Sequence, residues 1–238
     1  MTGPLLAVEG LCAGYGKGDI IKDVTFELSA GGITTIIGPN GAGKSTLIKT
    51  LAGVVRPRMG SVRVDGDDLT GMVANRMAAH GVAYVPQEAN VFRSLTVQEN
   101  LEMGAWTATD TRHERMARVF ELFPVLQERS AVRAGNLSGG QRQMAAFGMA
   151  MMVAPRLLLL DEPSAGLSPK MVGQMFETVR RVNETGVGVL MVEQNAIQGL
   201  GIADRGIVMA AGEIKLNLPA SELLDNAEVG ELYLGTRQ

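Results

Sequence analysis

Residues 38–45 read GPNGAGKS, and the spacing G-x-x-x-x-G-K-[ST] is one that can hold a polyphosphate. In such a turn, Gly38, Pro39, Asn40, Gly41, Ala42 and Gly43 would wrap backbone N–H groups around an anion. A helix opening at Lys44 adds the partial positive charge of its N-terminus. Lys44 would then reach the β- and γ-phosphates of a nucleotide, the Ser45 hydroxyl would ligate Mg²⁺, and Thr46 would complete the cradle.

Three further stretches carry chemistry. RLLLLDEPSAG ends an apolar run in Asp161 and Glu162. Asp161 can hold the hydration shell of the same Mg²⁺, and Glu162 can take a proton from, or orient, a water attacking the γ-phosphorus. In NLSGGQRQ, Ser138 caps a helix whose Gly139, Gly140 and Gln141 leave its N-terminus open to close approach, a second anion-binding end. In VGVLMVEQNA, an apolar run stops abruptly at Glu193, Gln194 and Asn195. One of these three is expected to work at the site.

The elements that must position these residues alternate between short apolar runs and helical patterns. Strands are expected at Leu6–Glu9, Val24–Leu28, Thr34–Ile37, Ser61–Val64, Val82–Val85, Leu157–Leu160, Val187–Val192 and Gly206–Ala210. Helices are expected at Lys44–Ala52, Val97–Trp106, Arg112–Phe123, Gly139–Val153, Lys170–Glu184 and Ala196–Leu200. Several strands are apolar on both faces, which predicts an α/β fold with a mostly parallel sheet. From about residue 95 to 153 the pattern is helical without a strand, so a helical insertion is expected there. Thr96-Val97-Gln98-Glu99 and Ser138-Gly139-Gly140-Gln141 read as capping boxes, and Ser168-Pro169 as an N-cap before a first-turn proline.

Bulk properties narrow the function classes. The 238 residues carry a net charge of −3, which argues against a nucleic-acid partner. The single cysteine, Cys12, leaves no route to an internal disulfide or a Cys-based zinc site. The N-terminus lacks signal-peptide character, and the longest apolar candidate, Met149–Leu160, is broken by Pro155 and Arg156, so no membrane span is expected.

Taken in order and spacing, Gly38–Ser45, Leu137–Gln141 and Leu157–Pro163 resemble the Walker A, signature and Walker B motifs of an ABC-type ATPase, and the resemblance covers nearly the whole chain. It implies a P-loop NTPase fold, RecA-like, with an N-terminal antiparallel β region and an inserted α-helical subdomain, as one domain over 5–236. It implies ATP and Mg²⁺ as the bound species. Gln87 resembles the Q-loop glutamine that contacts Mg²⁺ and water and senses the membrane partner. Tyr15 resembles the aromatic that stacks on adenine.

In that family two cassettes pack head to tail, so the Ser138–Gln141 end of one would meet ATP on the other. The implied partners are a second ATPase subunit, membrane-spanning permease subunits and, indirectly, an extracytoplasmic solute-binding protein, with no nucleic acid. The implied location is peripheral, on the cytoplasmic side of the cell (inner) membrane. The exposed stretch after Gln87, EANVFRSLTVQENL, is the expected docking region.

Two departures stand out. Most relatives carry a histidine after the last strand, where this chain has Gln194; its two histidines, His80 and His113, lie upstream of Walker B. Gln194 can donate to a phosphate oxygen but cannot become a cation. Ser168 stands where relatives have a cross-dimer Asp. VEQNA, DEPSAGLSP and the LYLG ending at Leu232–Gly235 are similar to one of the two ATPases of branched-chain amino-acid importers. Two other readings stay open: a soluble ABC protein acting on DNA or ribosomes, and a non-hydrolysing module switched by ATP.

Overall fold

In the computed structural model, the runs Ile33–Ile37, Leu157–Asp161 and Gly188–Val192 are buried at every residue. Strands buried on both faces belong inside a sheet covered on two sides. The structure describes residues 3–16, 18–88, 91–105 and 111–226.

Along the chain, β1 (Leu6–Ala13), β2 (Ile21–Leu28) and β3 (Ile33–Ile37) lead into α1 (Lys44–Leu51). Then come β4 (Pro57–Val64), β5 (Asp67–Asp68), α2 (Ala74–Met77) and β6 (Val82–Val85). Four helices follow: α3 (Val97–Gly104), α4 (Arg112–Leu122), α5 (Pro124–Glu128) and α6 (Gly139–Met151). The chain then alternates β7 (Leu157–Asp161), α7 (Pro169–Glu184), β8 (Gly188–Val192) and α8 (Ala196–Leu200). It closes with β9 (Arg205–Ala210), β10 (Glu213–Pro219) and α9 (Ala220–Asp225).

The main sheet runs β10-β9-β3-β8-β7-β6, parallel throughout except for β10, which pairs antiparallel with β9. A smaller antiparallel sheet, β2-β1-β4-β5, packs beside it. This is the expected α/β architecture. Alternate residues of one strand face opposite layers. Leu157, Leu159, Leu190 and Val192 join the core under α1 and the antiparallel sheet. Leu158, Leu160, Val189 and Met191 join the core under α6 and α7.

Both expected capping boxes form, at Thr96/Glu99 and Ser138/Gln141. Ser168 has the extended backbone of an N-cap with Pro169 behind it, but its side chain makes no capping bond; its carbonyl takes the Met171 and Val172 N–H groups instead. Five elements go beyond the sequence reading, among them the two-residue strand β5. β10 is a half-buried edge strand, so its apolar residues are diluted by Glu213, Lys215 and Asn217. α2, α5 and α9 have only 4, 5 and 6 residues, too few to show a helical period. Trp106 and the Leu232–Gly235 stretch lie outside the described residues.

Candidate functional site

The site forms where β3 stops. The turn 38–43 departs from Ile37 and enters α1, with Gly43 as the N-cap in a left-handed conformation (φ 97°) and no side chain capping the helix. Gly38 has φ 150°, and a Cβ there would overlap the Met209 carbonyl oxygen of β9. Only glycine fits so close to a neighbouring strand. The back of the turn is braced from far along the chain. Gly212, at the β9–β10 hairpin tip, donates its N–H to Ala42 O (3.0 Å), and Lys22 N–H donates to Gly212 O (2.8 Å). In front lies a cavity of about 350 Å³ lined by Ile20, residues 40–46 and Glu162.

Lys44 is buried, and its Nζ donates to Gly38 O (2.7 Å) and Pro39 O (3.1 Å), holding the ammonium over the turn. Burial pushes its pKa down, while Glu162 and Asp161 act in the opposite direction.

Asp161 closes β7. Its Oδ2 accepts from the Tyr84 hydroxyl (3.3 Å) and lies 3.9 Å from Lys49 Nζ. Its Oδ1 is buried without a partner. A buried acceptor left unmet costs free energy, and an oxygen in that condition suits the hydration shell of a hard cation. Ser45, Gln87 and Asp161 supply only oxygen donors of the kind Mg²⁺ takes, so the residues fit that ion.

Glu162 follows in a left-handed backbone (φ 49°), a strained state for a non-glycine residue that the surroundings must hold. Its side chain is buried, and its Oε2 accepts from two amides: Gln87 Nε2 at 3.0 Å and Gln194 Nε2 at 2.8 Å. Residues 87, 162 and 194 thus meet at one carboxylate oxygen.

All three polar residues after β8 have work. Gln194 reaches Glu162. Asn195 caps α8, accepting from Gln198 N–H (3.4 Å). Glu193 is 1% exposed and accepts from both donors of Ser164: N–H to Oε1 at 3.0 Å and Oγ–H to Oε2 at 2.7 Å. Burial, above all, raises its pKa.

Tyr15 stands 55% exposed on the turn between β1 and β2. Arg58 holds that turn through Gly16 O (2.6 Å) and Asp19 (2.8 Å). Ile20, at the far end of the turn, lines the cavity.

The Ser138–Gln141 end does not line that cavity. Ser138 Oγ accepts from Gln141 N–H (3.3 Å) and Gln141 Oε1 from Ser138 N–H (3.1 Å). Gly140 is pressed against Met171, whose methyl a Cβ would overlap. His113 is exposed, and His80 Nδ1 lies 3.9 Å from Asp67 Oδ2, away from the cavity.

The structure therefore gathers Lys44, Gln87, Asp161, Glu162 and Gln194 at the phosphate turn and leaves residues 138–141 elsewhere. Sequence reasoning missed the Glu193–Ser164 pair, Tyr84 on Asp161 and the Gly212 brace. The first could have been suspected, because an acid directly after an apolar strand starts out buried.

With this geometry in hand, comparison with known proteins is informative. A family model described as "ABC transporter" matches residues 21–165. The high-affinity branched-chain amino acid transport ATP-binding protein BraG of Pseudomonas aeruginosa is 44% identical over 97% of this chain and 100% of its own length. The probable branched-chain amino acid transport ATP-binding protein LivF of Archaeoglobus fulgidus is 36% identical over 97% and 99%. Among solved structures, the ADP conformation of an ATP-binding cassette of an ABC transporter superposes with a TM-score of 0.88 at 26% identity, covering 97% of this chain and 98% of the other.

Proposed function

This chain belongs to the ABC transporter family of ATP-binding proteins, and from that premise we propose that it is the ATP-hydrolysing subunit of an importer for branched-chain or related amino acids. The solute class follows the resemblance to BraG and LivF. The single observation that carries hydrolysis is Glu162, a buried carboxylate beside the phosphate cradle with two amides on its Oε2.

Gly38–Thr46 bind the phosphates through backbone N–H groups and the α1 N-terminus. Lys44 exchanges its two carbonyls for β- and γ-phosphate oxygens. Ser45, Gln87 and Asp161 would hold Mg²⁺, which supplies charge neutralisation across the β- and γ-phosphates when bound. Gln87 and Gln194 pin Glu162 Oε2, leaving Oε1 to accept the proton of the attacking water. The second Nε2 hydrogen of Gln194 would donate to the γ-phosphate or the attacking water, in the role the family resemblance gives to a histidine. Tyr15 would receive the adenine, with Ile20 lining the cavity between it and the turn.

Ser138, Gly139, Gly140 and Gln141 complete the site of a second ATPase subunit, and the helices over about 95–153 form the subdomain that presents them. No helix among the described residues is long and apolar enough to cross a membrane. The translocation path is then formed by separate permease subunits, with this chain peripheral on their cytoplasmic side.

The test is Mg²⁺-dependent ATPase activity of the purified chain with Glu162→Gln as control, followed by identification of the membrane subunits that co-purify with it. Phosphate release that survives Glu162→Gln would reject the assignment of the base. Binding of ATP with no turnover would favour the non-hydrolysing switch.

A further inference from the structure

Glu193 is the least exposed acid at the site, and the catalytic assignment gives it no task. Its backbone N–H donates to Ile36 O of β3 (3.1 Å), and its side chain occupies the space that a side chain on Gly199 of α8 would need. From there its two carboxylate oxygens accept both donors of Ser164, and the backbone N–H of Asn195 also bonds to the carboxylate. Ser164 sits inside the turn that Glu162 opens, closed by Ala165 N–H to Glu162 O (3.1 Å). The same turn begins with the left-handed Glu162 (φ 49°). Glu162 N–H in turn donates to Val192 O (3.0 Å), on the residue preceding Glu193.

A buried carboxylate is costly unless donors meet it, and an apolar residue could fill this position without that cost. What an apolar residue could not do is hold the Ser164 N–H and hydroxyl together. We propose that Glu193 is a positioning residue for hydrolysis: by gripping Ser164 it fixes the turn that carries Glu162 and sets the register between Glu162 and Gln194. The inference rests on Glu162 being the general base.

The hydrogen-bond chemistry supplies a conservative control. In Glu193→Gln, the amide oxygen accepts the Ser164 N–H, the amide N–H₂ donates to Ser164 Oγ, and the hydroxyl rotates away. Glu193→Ala leaves the buried Ser164 N–H unmet. Ser164→Ala removes one of the two bonds and keeps the backbone one.

The experiment measures kcat and KM for ATP hydrolysis of the four purified full chains, with nucleotide-binding stoichiometry of each preparation giving the folded fraction. Losing a buried donor's partner predicts that Glu193→Ala drops kcat about tenfold or more while KM stays within about twofold. Glu193→Gln recovers kcat to within about threefold of the parent, and Ser164→Ala falls between the two. Should Glu193→Ala not fold, Ser164→Ala carries the test: a kcat equal to the parent's overturns the proposal. It is equally overturned if Glu193→Ala keeps its kcat, if its loss tracks the folded fraction alone, or if Glu193→Gln is as slow as Glu193→Ala. Glu162→Gln separates this from the underlying reading: if it hydrolyses ATP at the parental rate, the base assignment fails and the tie has nothing to position.

Discussion

Two helices of this chain, α1 and α6, begin at glycine-rich turns, and the two beginnings are furnished differently. At α1 one cavity is lined by residues 40–46 and Glu162, and Asp161 at the end of β7 acts with Glu162 on the Lys44 ammonium. At α6 the Ser138/Gln141 capping box uses up its own side chains, Gly140 lies on Met171, and Gly139 is exposed with only a Leu167 methyl near it. The first end draws Lys44, Asp161 and Glu162 together, whereas at the second Arg142 turns its guanidinium back onto Leu137 O. The contrast teaches that an anion-binding helix end is a generic feature and that catalysis comes from what converges on it. An end whose side chains are spent on the helix itself fits the proposal that it completes the site of another subunit.

The strongest way to break the comparison is to remove the convergence at α1. Lys44→Ala deletes a preorganised charge, and ATP turnover is expected to fall by about 10²–10³. Retained turnover in a phosphate-release assay would show that α1 is no more equipped than α6.

The next test addresses α6 alone. Gly139→Asp places a negative charge in the first turn, which favours the helix itself by about 0.3–1 kcal/mol. Thermal melting should therefore show no loss of stability and ATP binding to the single chain should persist, while turnover falls about tenfold or more through repulsion of the partner's phosphates. Mixing equal amounts of Lys44→Ala and Gly139→Asp chains should restore roughly a quarter of parental turnover, since half of the dimers then hold one intact composite site. No recovery on mixing would mean that the α6 end serves its own subunit.

Smaller effects sharpen the picture around Glu162. Gln194→Ala should lose about threefold to tenfold in kcat, and Gln194→His should lose less because a ring N–H can still donate. Equal rates for all three would remove Gln194 from the chemical step. Smallest is a pH effect at Glu193. Its pKa is raised above the ordinary 4.5, so the folded chain holds that proton more tightly than the unfolded chain. Its contribution favours folding at low pH and is lost as pH rises from the ordinary value through the raised one. Denaturant melts across that interval should show Glu193→Gln with a flatter pH dependence than the parent. An identical slope would mean the carboxylate is not perturbed.

How much of this could be read from the chain alone depends on the range of the interaction. Gly38–Ser45 is legible because its eight residues make one turn and one helix start, with the spacing fixed covalently. β3, β7 and β8 are legible because both of their faces are apolar. β10 escaped because only an edge of it is buried. The meeting of Gln87, Glu162 and Gln194 at one oxygen depends on the parallel register of β6, β7 and β8, which no local pattern encodes. The same holds within Glu193-Gln194-Asn195. Three polar residues in a row look alike in one dimension, and only the pairing of Asp161 with Val192 decides which one turns inward towards Ser164.

The brace that Gly212 places on Ala42 reaches across nearly the entire chain. The turn at 38–43 precedes the β9–β10 hairpin that supports it, so it is synthesised first. A nascent chain thus carries its lysine loop before the hairpin is there to hold that loop's back. The stabilisation that ATP gives the fold is therefore expected to be larger when β9 and β10 are in place than in chains that lack them.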